Sequence, residues 1–138
     1  MQRGRRRIVE ATAVASMISA VPSSVHSLVA NGDLRSVFDD GMRATRAAGV
    51  LIPPGGPSLR RGVIAHFVVS LLVGEFLARV LPNRHTVIWG AVTGLLIGIF
   101  NLGVVGRHFS AIRQLPLGPQ LADNMAFGAL FAAVVDRP

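Results

Sequence analysis

Residues 86–106 read TVIWGAVTGLLIGIFNLGVVG, 21 consecutive residues without a charge. As a helix rising ~1.5 Å per residue they reach about 31 Å, the thickness of a bilayer's hydrocarbon core. Trp89 near the start suits the lipid–water boundary, where its ring stays in the apolar layer and its N–H stays wet. This stretch is expected to cross a membrane.

The flanking sequence fits the same environment. On the N-terminal side, Pro82-Asn83-Arg84 makes a short turn. Before it, residues 62–81 are nearly continuous Val, Leu, Phe and Ile, interrupted by His66, Ser70, Glu75 and Arg79. On the C-terminal side, a basic loop with Arg107, His108 and Arg113 leads to a last segment, 119–135. Pro119 is well placed in the first turn of that helix, where a missing amide does no harm.

The chain opens with a basic head containing Arg3, Arg5, Arg6 and Arg7, then an apolar stretch over 8–30 that includes Glu10 and Pro22. This stretch reads as a first membrane helix kinked at Pro22. A signal sequence is the alternative, with Glu10 lying where such a sequence requires hydrocarbon. Asn31-Gly32-Asp33 is a turn, and Asp33 is placed to cap the next helix. Residues 34–52 are amphipathic: Leu34, Val37, Phe38, Gly41, Thr45, Ala48, Gly49 and Ile52 recur on one face, with Arg35, Ser36, Asp39, Asp40, Arg43 and Arg46 on the other. The segment reads as an interfacial helix or as a surface helix packed on the bundle. Asp39 and Arg43 are spaced as an i,i+4 pair. Pro53-Pro54-Gly55-Gly56-Pro57 stops it.

The expected architecture is all-α, a single membrane domain over 1–138. It is an integral membrane bundle of about four transmembrane helices plus one amphipathic interfacial helix. Joined by connections of these lengths, the helices are expected to pack as antiparallel neighbours.

Composition agrees. Only 15% of residues are charged, against ~25% in a soluble domain. The net charge is +7 and every basic residue is Arg. Those arginines fall at segment ends, where they meet lipid phosphates. They form no stripe interleaved with aromatics, so no nucleic-acid partner is expected. The chain has no Cys, which excludes disulfides, thiolate metal sites and thiol catalysis.

Helices in lipid gain little by hiding apolar surface from apolar tails; small residues that let backbones approach take over that role. Each segment has such a line: Ala11, Ala15, Ser19 and Ser23; Ser70, Gly74 and Ala78; Gly90, Gly94 and Gly98; and Ala122, Ala126, Ala129 and Ala133, with Asn124 and Gly128 beside it. The Gly90/Gly94/Gly98 face serves either the bundle or a homodimer.

Ionisable groups inside a membrane are costly and mark functional candidates. Antiparallel packing places His26, His66, Asn101, Asp123 and Asn124 toward one side. His66, Asn101 and Asp123 each lie roughly 6–8 Å inside a segment end at ~1.5 Å per residue. This layer is a proton or small-ligand site, or hydrogen-bonding glue between helices. Glu10, Glu75 and Arg79 form a second cluster on the opposite side, where Glu75 and Arg79 are one turn apart and can neutralise each other. No metal site and no cofactor are expected; a two-histidine haem site from His26 and His66 has only geometry in its favour.

Seven arginines (Arg3, Arg5, Arg6, Arg7, Arg79, Arg84, Arg137) fall on one side and seven (Arg35, Arg43, Arg46, Arg60, Arg61, Arg107, Arg113) on the other. The first helix usually dominates orientation, which favours a cytoplasmic N-terminus in a multi-pass protein of the cell membrane.

In Pro22-Ser23-Ser24-Val25-His26, in Arg46-Ala47-Ala48-Gly49 and in the run LPLGPQLADNMAFG at residues 115–128, the chain resembles small uncharacterised four-helix membrane proteins of actinobacteria. Its layout is similar to that of YagU-like inner-membrane proteins. The resemblance implies four helices and a role for Asp123, and no reaction. The expected function is non-enzymatic: an accessory subunit or a self-associating scaffold in the lipid bilayer, with a membrane-protein partner or a homo-oligomer. The alternatives are a small oligomeric transporter or channel using the His/Asn/Asp layer, and an enzyme acting on lipid-like substrates.

Overall fold

The computed structural model describes residues 4–136. Arg3 and Arg137, both counted in the arginine balance, lie outside them. Every regular element among the described residues is helical.

Two helices make up the first segment, α1 (Arg5–Ile18) and α2 (Val21–Asn31). Pro22 explains the break. A proline ring collides with the carbonyl one turn earlier and offers it no N–H, so a helix stops before it and restarts with it in the first turn. The kink expected at Pro22 takes the form of a two-residue interruption at Ser19–Ala20, with the backbone there still close to helical. Gly32 ends α2 with φ 75°, its N–H donating to the Leu28 carbonyl at 2.8 Å. That left-handed position suits a residue without a Cβ.

Asp33 caps α3 (Leu34–Ala48): its carboxylate accepts from the Ser36 N–H at 2.7 Å and the Ser36 hydroxyl at 2.8 Å. Those bonds, the backbone one foremost, favour the charged form and hold the Asp33 carboxyl below its ordinary value. A 3₁₀ turn, Gly49–Leu51, follows α3. Ser58 then caps α4 (Leu59–Val80), accepting from the Arg61 N–H. After a tight turn through His85, held at φ 53°, come α5 (Thr86–Phe100), a π-helical turn (Asn101–Val105) and α6 (Gly106–His108). The chain finishes with α7 (Ser110–Arg113) and α8 (Leu117–Val135).

Three stretches are long and apolar enough to cross a membrane: Arg5–Asn31, Leu59–Val80 and Thr86–His108. The last helix, α8, is not among them. Its first turns hold Gln120, Asp123 and Asn124. Yet α8 is the hub of the structure, packing on α1, α2 and α5 and touching α4. The core is built around it: Phe127, Phe131, Ala132 and Val135 of α8 meet Ile8, Ala11 and Ala15 of α1 and Leu77 and Leu81 at the end of α4.

Neighbours in sequence are not always neighbours in space. Although α4 and α5 share a short turn, α5 packs on α8 instead, where Gly90 faces Gly128 and Ala132 while Gly98 faces Leu121 and Asn124. That order makes α5 and α8 antiparallel.

Helix α3 lies across the N-terminal end of α4, with the Thr45 carbonyl against Gly62 and Gly49 against Ser58. At ~100° per residue, α3 presents three faces. Ala44, Ala47 and Ala48 are wholly or partly covered; Leu34 and Phe38 point away from the bundle, 76% and 65% exposed; Arg35, Asp39, Arg43 and Arg46 form a charged side. The i,i+4 pair expected between Asp39 and Arg43 is replaced by an i,i+3 pair: Arg43 Nη2 meets Asp40 Oδ1 at 2.8 Å. Asp40 also accepts from the buried Ser27 hydroxyl at 2.6 Å, which fixes its rotamer and draws Arg43 toward it.

Candidate functional site

The most extensive close packing is the α5–α8 seam. A Cβ added at Gly90 would strike the Gly128 carbonyl, one at Gly94 the Asn124 carbonyl, and one at Gly128 the Gly90 carbonyl. Backbone touches backbone at two levels one turn apart, and a turn further on Gly98 meets the Leu121 and Asn124 side chains, an approach open to a row of glycines and closed to larger residues. The glycine face of α5 is thus covered from within the chain. On α8 the small-residue line at this seam is Asn124, Gly128 and Ala132 rather than Ala122, Ala126, Ala129 and Ala133. Those four alanines are half-buried and lie outside the core cluster. They sit on the far side of α8 from Phe127 and Phe131, at ~100° per residue. Ala126, expected as a packing residue, is half-buried and belongs to this second strip rather than to the α5–α8 seam. Helix α4 uses its own small residues: Ser70 is buried, and Gly74 packs on Thr12 of α1 and Phe131 of α8.

The polar layer is assembled only in part. Asp123 Oδ1 accepts the Ser23 backbone N–H at 2.9 Å. Ser23 is in the first turn of α2, where amides have no intrahelical partner. The break at Ser19–Ala20 exposes such amides, and a carboxylate from another helix caps one of them. The helix dipole favours a negative group at that end. Asn124 turns its amide to its own helix, Nδ2 donating to the Gln120 carbonyl at 2.8 Å, and its Cβ lies against Gly98.

The other members do not join. Asn101 opens the π-helical turn and is half-buried, with no side-chain hydrogen bond among the described residues. His66 is exposed and meets only its neighbour Phe67, edge to face at 5.9 Å. It lies on α4 beside Ala65 and one turn before Ser70, both buried, so α4 is covered at that level but His66 itself is not. His26 points outward between Ser23 and Ser27. The two histidines are not brought together.

The second cluster is divided as well. Glu10 pairs with Arg6 at 2.8 Å and Glu75 with Arg79 at 3.0 Å, each within its own helix. Arg79 also donates to the Glu75 carbonyl at 2.9 Å.

Two features are absent from the sequence reading. One is a buried hydroxyl pair on α1, Thr12 and Ser16, whose hydroxyl oxygens have no hydrogen-bond partner among the described residues. Their spacing one turn apart on the small-residue side of α1 was the available signal. The other is a groove of about 490 Å³ between α3 and the α7 region, lined by Phe38, Asp39, Met42, Arg43 and Arg46 on one side and Ala111, Gln114 and Leu115 on the other. It joins residues some seventy positions apart, which spacing alone does not reveal. Among the described residues no group of three or more His, Asp or Glu side chains is arranged to hold a metal ion.

Comparison with protein-family models, with curated proteins and with solved structures finds no match to this chain.

Proposed function

We propose that the protein is a four-span membrane protein that works through packing, as a self-associating scaffold or as the accessory subunit of a larger membrane assembly. The outward side chains support the membrane setting. Leu72 and Leu96, midway along α4 and α5, are 66% and 59% exposed. Water would penalise such a surface, whereas lipid tails solvate it. The fourth span is α8. A helix packed against three others needs less apolar surface than one bathed in lipid, and the polar groups in its first half are satisfied within the protein, Asp123 by α2 and Asn124 by its own helix.

The observation that favours assembly is the alanine line Ala122, Ala126, Ala129 and Ala133 on α8, half-buried and outside the core. It gives the hub helix a smooth outer strip on which another membrane helix can lie closely. The test is to extract the tagged protein from its native membrane in mild detergent, then measure its mass and identify co-eluting chains. A homo-oligomer, or a partner in fixed ratio, supports the reading. Substitution of Ala126→Phe with Ala129→Phe is expected to abolish that association while leaving abundance and helicity intact. A partner-free monomer from the native membrane overturns it.

A second reading, a small transporter or channel, has one observation in its favour. The first span is broken, with a carboxylate at the break, and α5 has a π-helical turn at Asn101–Val105. Discontinuous helices and π turns recur at functional sites of membrane proteins. On this reading Asp123→Asn abolishes flux in proteoliposomes with protein abundance unchanged. Unchanged flux in that variant, with folded protein lost in Asp123→Ala, instead makes Asp123 a structural cap.

A further inference from the structure

The groove between α3 and the α7 region joins apolar and charged surface. Phe38 and Met42 form one lip, continuous with the outward apolar face of α3; Leu115 faces them from beyond α7. Asp39, Arg43 and Arg46 follow at i, i+4 and i+7, one line along the helix spanning about 10 Å at ~1.5 Å per residue. Arg43 is neutralised by Asp40. Neither Asp39 nor Arg46 has a side-chain partner among the described residues, although both line the groove. The site therefore offers one free carboxylate and one free guanidinium, about two helical turns apart at their backbones, beside an apolar strip. The groove is open on one side, and its volume of about 490 Å³ is enough for a headgroup.

We propose that this groove binds the headgroup of a phospholipid carrying both a phosphate and a primary ammonium, such as phosphatidylethanolamine. The Arg46 guanidinium takes the phosphate, for which its planar array of N–H donors is suited. Asp39 accepts from the ammonium. Phe38 and Met42 meet the start of the acyl chains. A purely anionic headgroup leaves Asp39 facing like charge, and a choline headgroup offers Asp39 no N–H donor, so the free pair of opposite charges selects the aminophospholipid. This proposal rests on the membrane setting argued above. It ties α3, the amphipathic helix, to the lipid–water boundary through one bound lipid.

The test uses the full chain in mild detergent with equimolar phosphatidylethanolamine, phosphatidylcholine and phosphatidylglycerol of matched acyl chains. Native mass spectrometry reads the retained lipid. One phosphatidylethanolamine per chain is expected, at least tenfold over either competitor. Arg46→Gln is expected to lower retention of all three lipids about tenfold. Asp39→Asn is expected to erase the preference for phosphatidylethanolamine over phosphatidylglycerol while keeping phosphate binding. Both side chains are exposed and unpaired, so unchanged helical circular dichroism is expected for both variants. Equal retention of the three lipids, or retention indifferent to both substitutions, overturns the proposal. So does displacement by soluble glycerophosphoethanolamine as effective as displacement by the lipid, which would make the ligand a free phosphate ester. A parallel carbonate wash of native membranes separates the two levels. Release of the protein into the wash refutes the membrane setting, whereas a protein that stays with the membrane yet shows no lipid preference refutes only the groove.

Discussion

The α5–α8 seam and the α2–α3–α8 corner hold helices together by opposite means. At the seam, Gly90, Gly94 and Gly128 bring backbone onto backbone with no side-chain hydrogen bond between the helices. At the corner, Asp123 caps the Ser23 amide and Asp40 receives the Ser27 hydroxyl. The seam follows a helix with no ionisable group from Thr86 to Gly106, where close contact and dispersion are the available attractions. The corner gathers a helix break, two helix ends and a loop, where backbone groups lack intrahelical partners. Each region uses the interaction its surroundings leave available.

Substitutions can break this contrast. The largest effect is expected from Gly128→Leu, which drives a side chain into the Gly90 carbonyl and the α5 backbone. Overpacking costs about 1–3 kcal/mol in a tight core, and more where backbone is struck. Chemical unfolding in detergent is expected to show α5 detached or the protein lost, while Ala126→Leu, on the other side of α8, leaves unfolding unchanged. If the two variants behave alike, the seam is not the closer packing face.

Next is Asp123→Ala, which removes the cap between helices. Loss of a capping side chain costs about 0.5–2 kcal/mol. Faster hydrogen exchange at the Ser23 amide is expected, and Asp123→Asn, which keeps an acceptor oxygen, is expected to recover most of the protection. An unchanged Ser23 amide in the alanine variant would contradict a capping role. Ser27→Ala is milder, about 1 kcal/mol, because Asp40 keeps Arg43 as a partner.

The smallest effect is a pH effect at Asp33. Its carboxyl is held below the ordinary 3.8 by the Ser36 bonds. The cap's contribution to α3 is therefore fully present above that value and is lost as pH falls through the lowered one. Fraying at the start of α3 under acid, followed by circular dichroism, is expected to vanish in Asp33→Ala, which is frayed at every pH.

Much of the helical layout was legible because apolar length and proline position have direct physical meaning. The 21-residue uncharged run could hardly be anything but a long helix, and Pro22 announced the break near it. What could not be read was which face meets which neighbour. On α8 two small-residue lines run side by side, and spacing does not choose between them. The structure uses the one containing Gly128, since only glycine admits a carbonyl so close. His66 was placed in the polar layer by depth, but depth along a helix says nothing of what covers it sideways. Asp123 stands out in the sequence as a charge within an apolar segment. Its partner, a backbone amide released by a break in another helix, has no signature in the residues around it.

The central claim is that the exposed apolar face of α4 and α5 is covered by lipid. The chain has no Cys, so single cysteines give clean reporters. Leu72→Cys and Leu96→Cys, both on exposed mid-helix positions, and Arg84→Cys in the turn between those helices, would be treated in native membranes with a water-soluble maleimide. The account predicts rapid labelling at position 84 and none at 72 or 96 until detergent denaturation. Equal labelling at all three in intact membranes would contradict it.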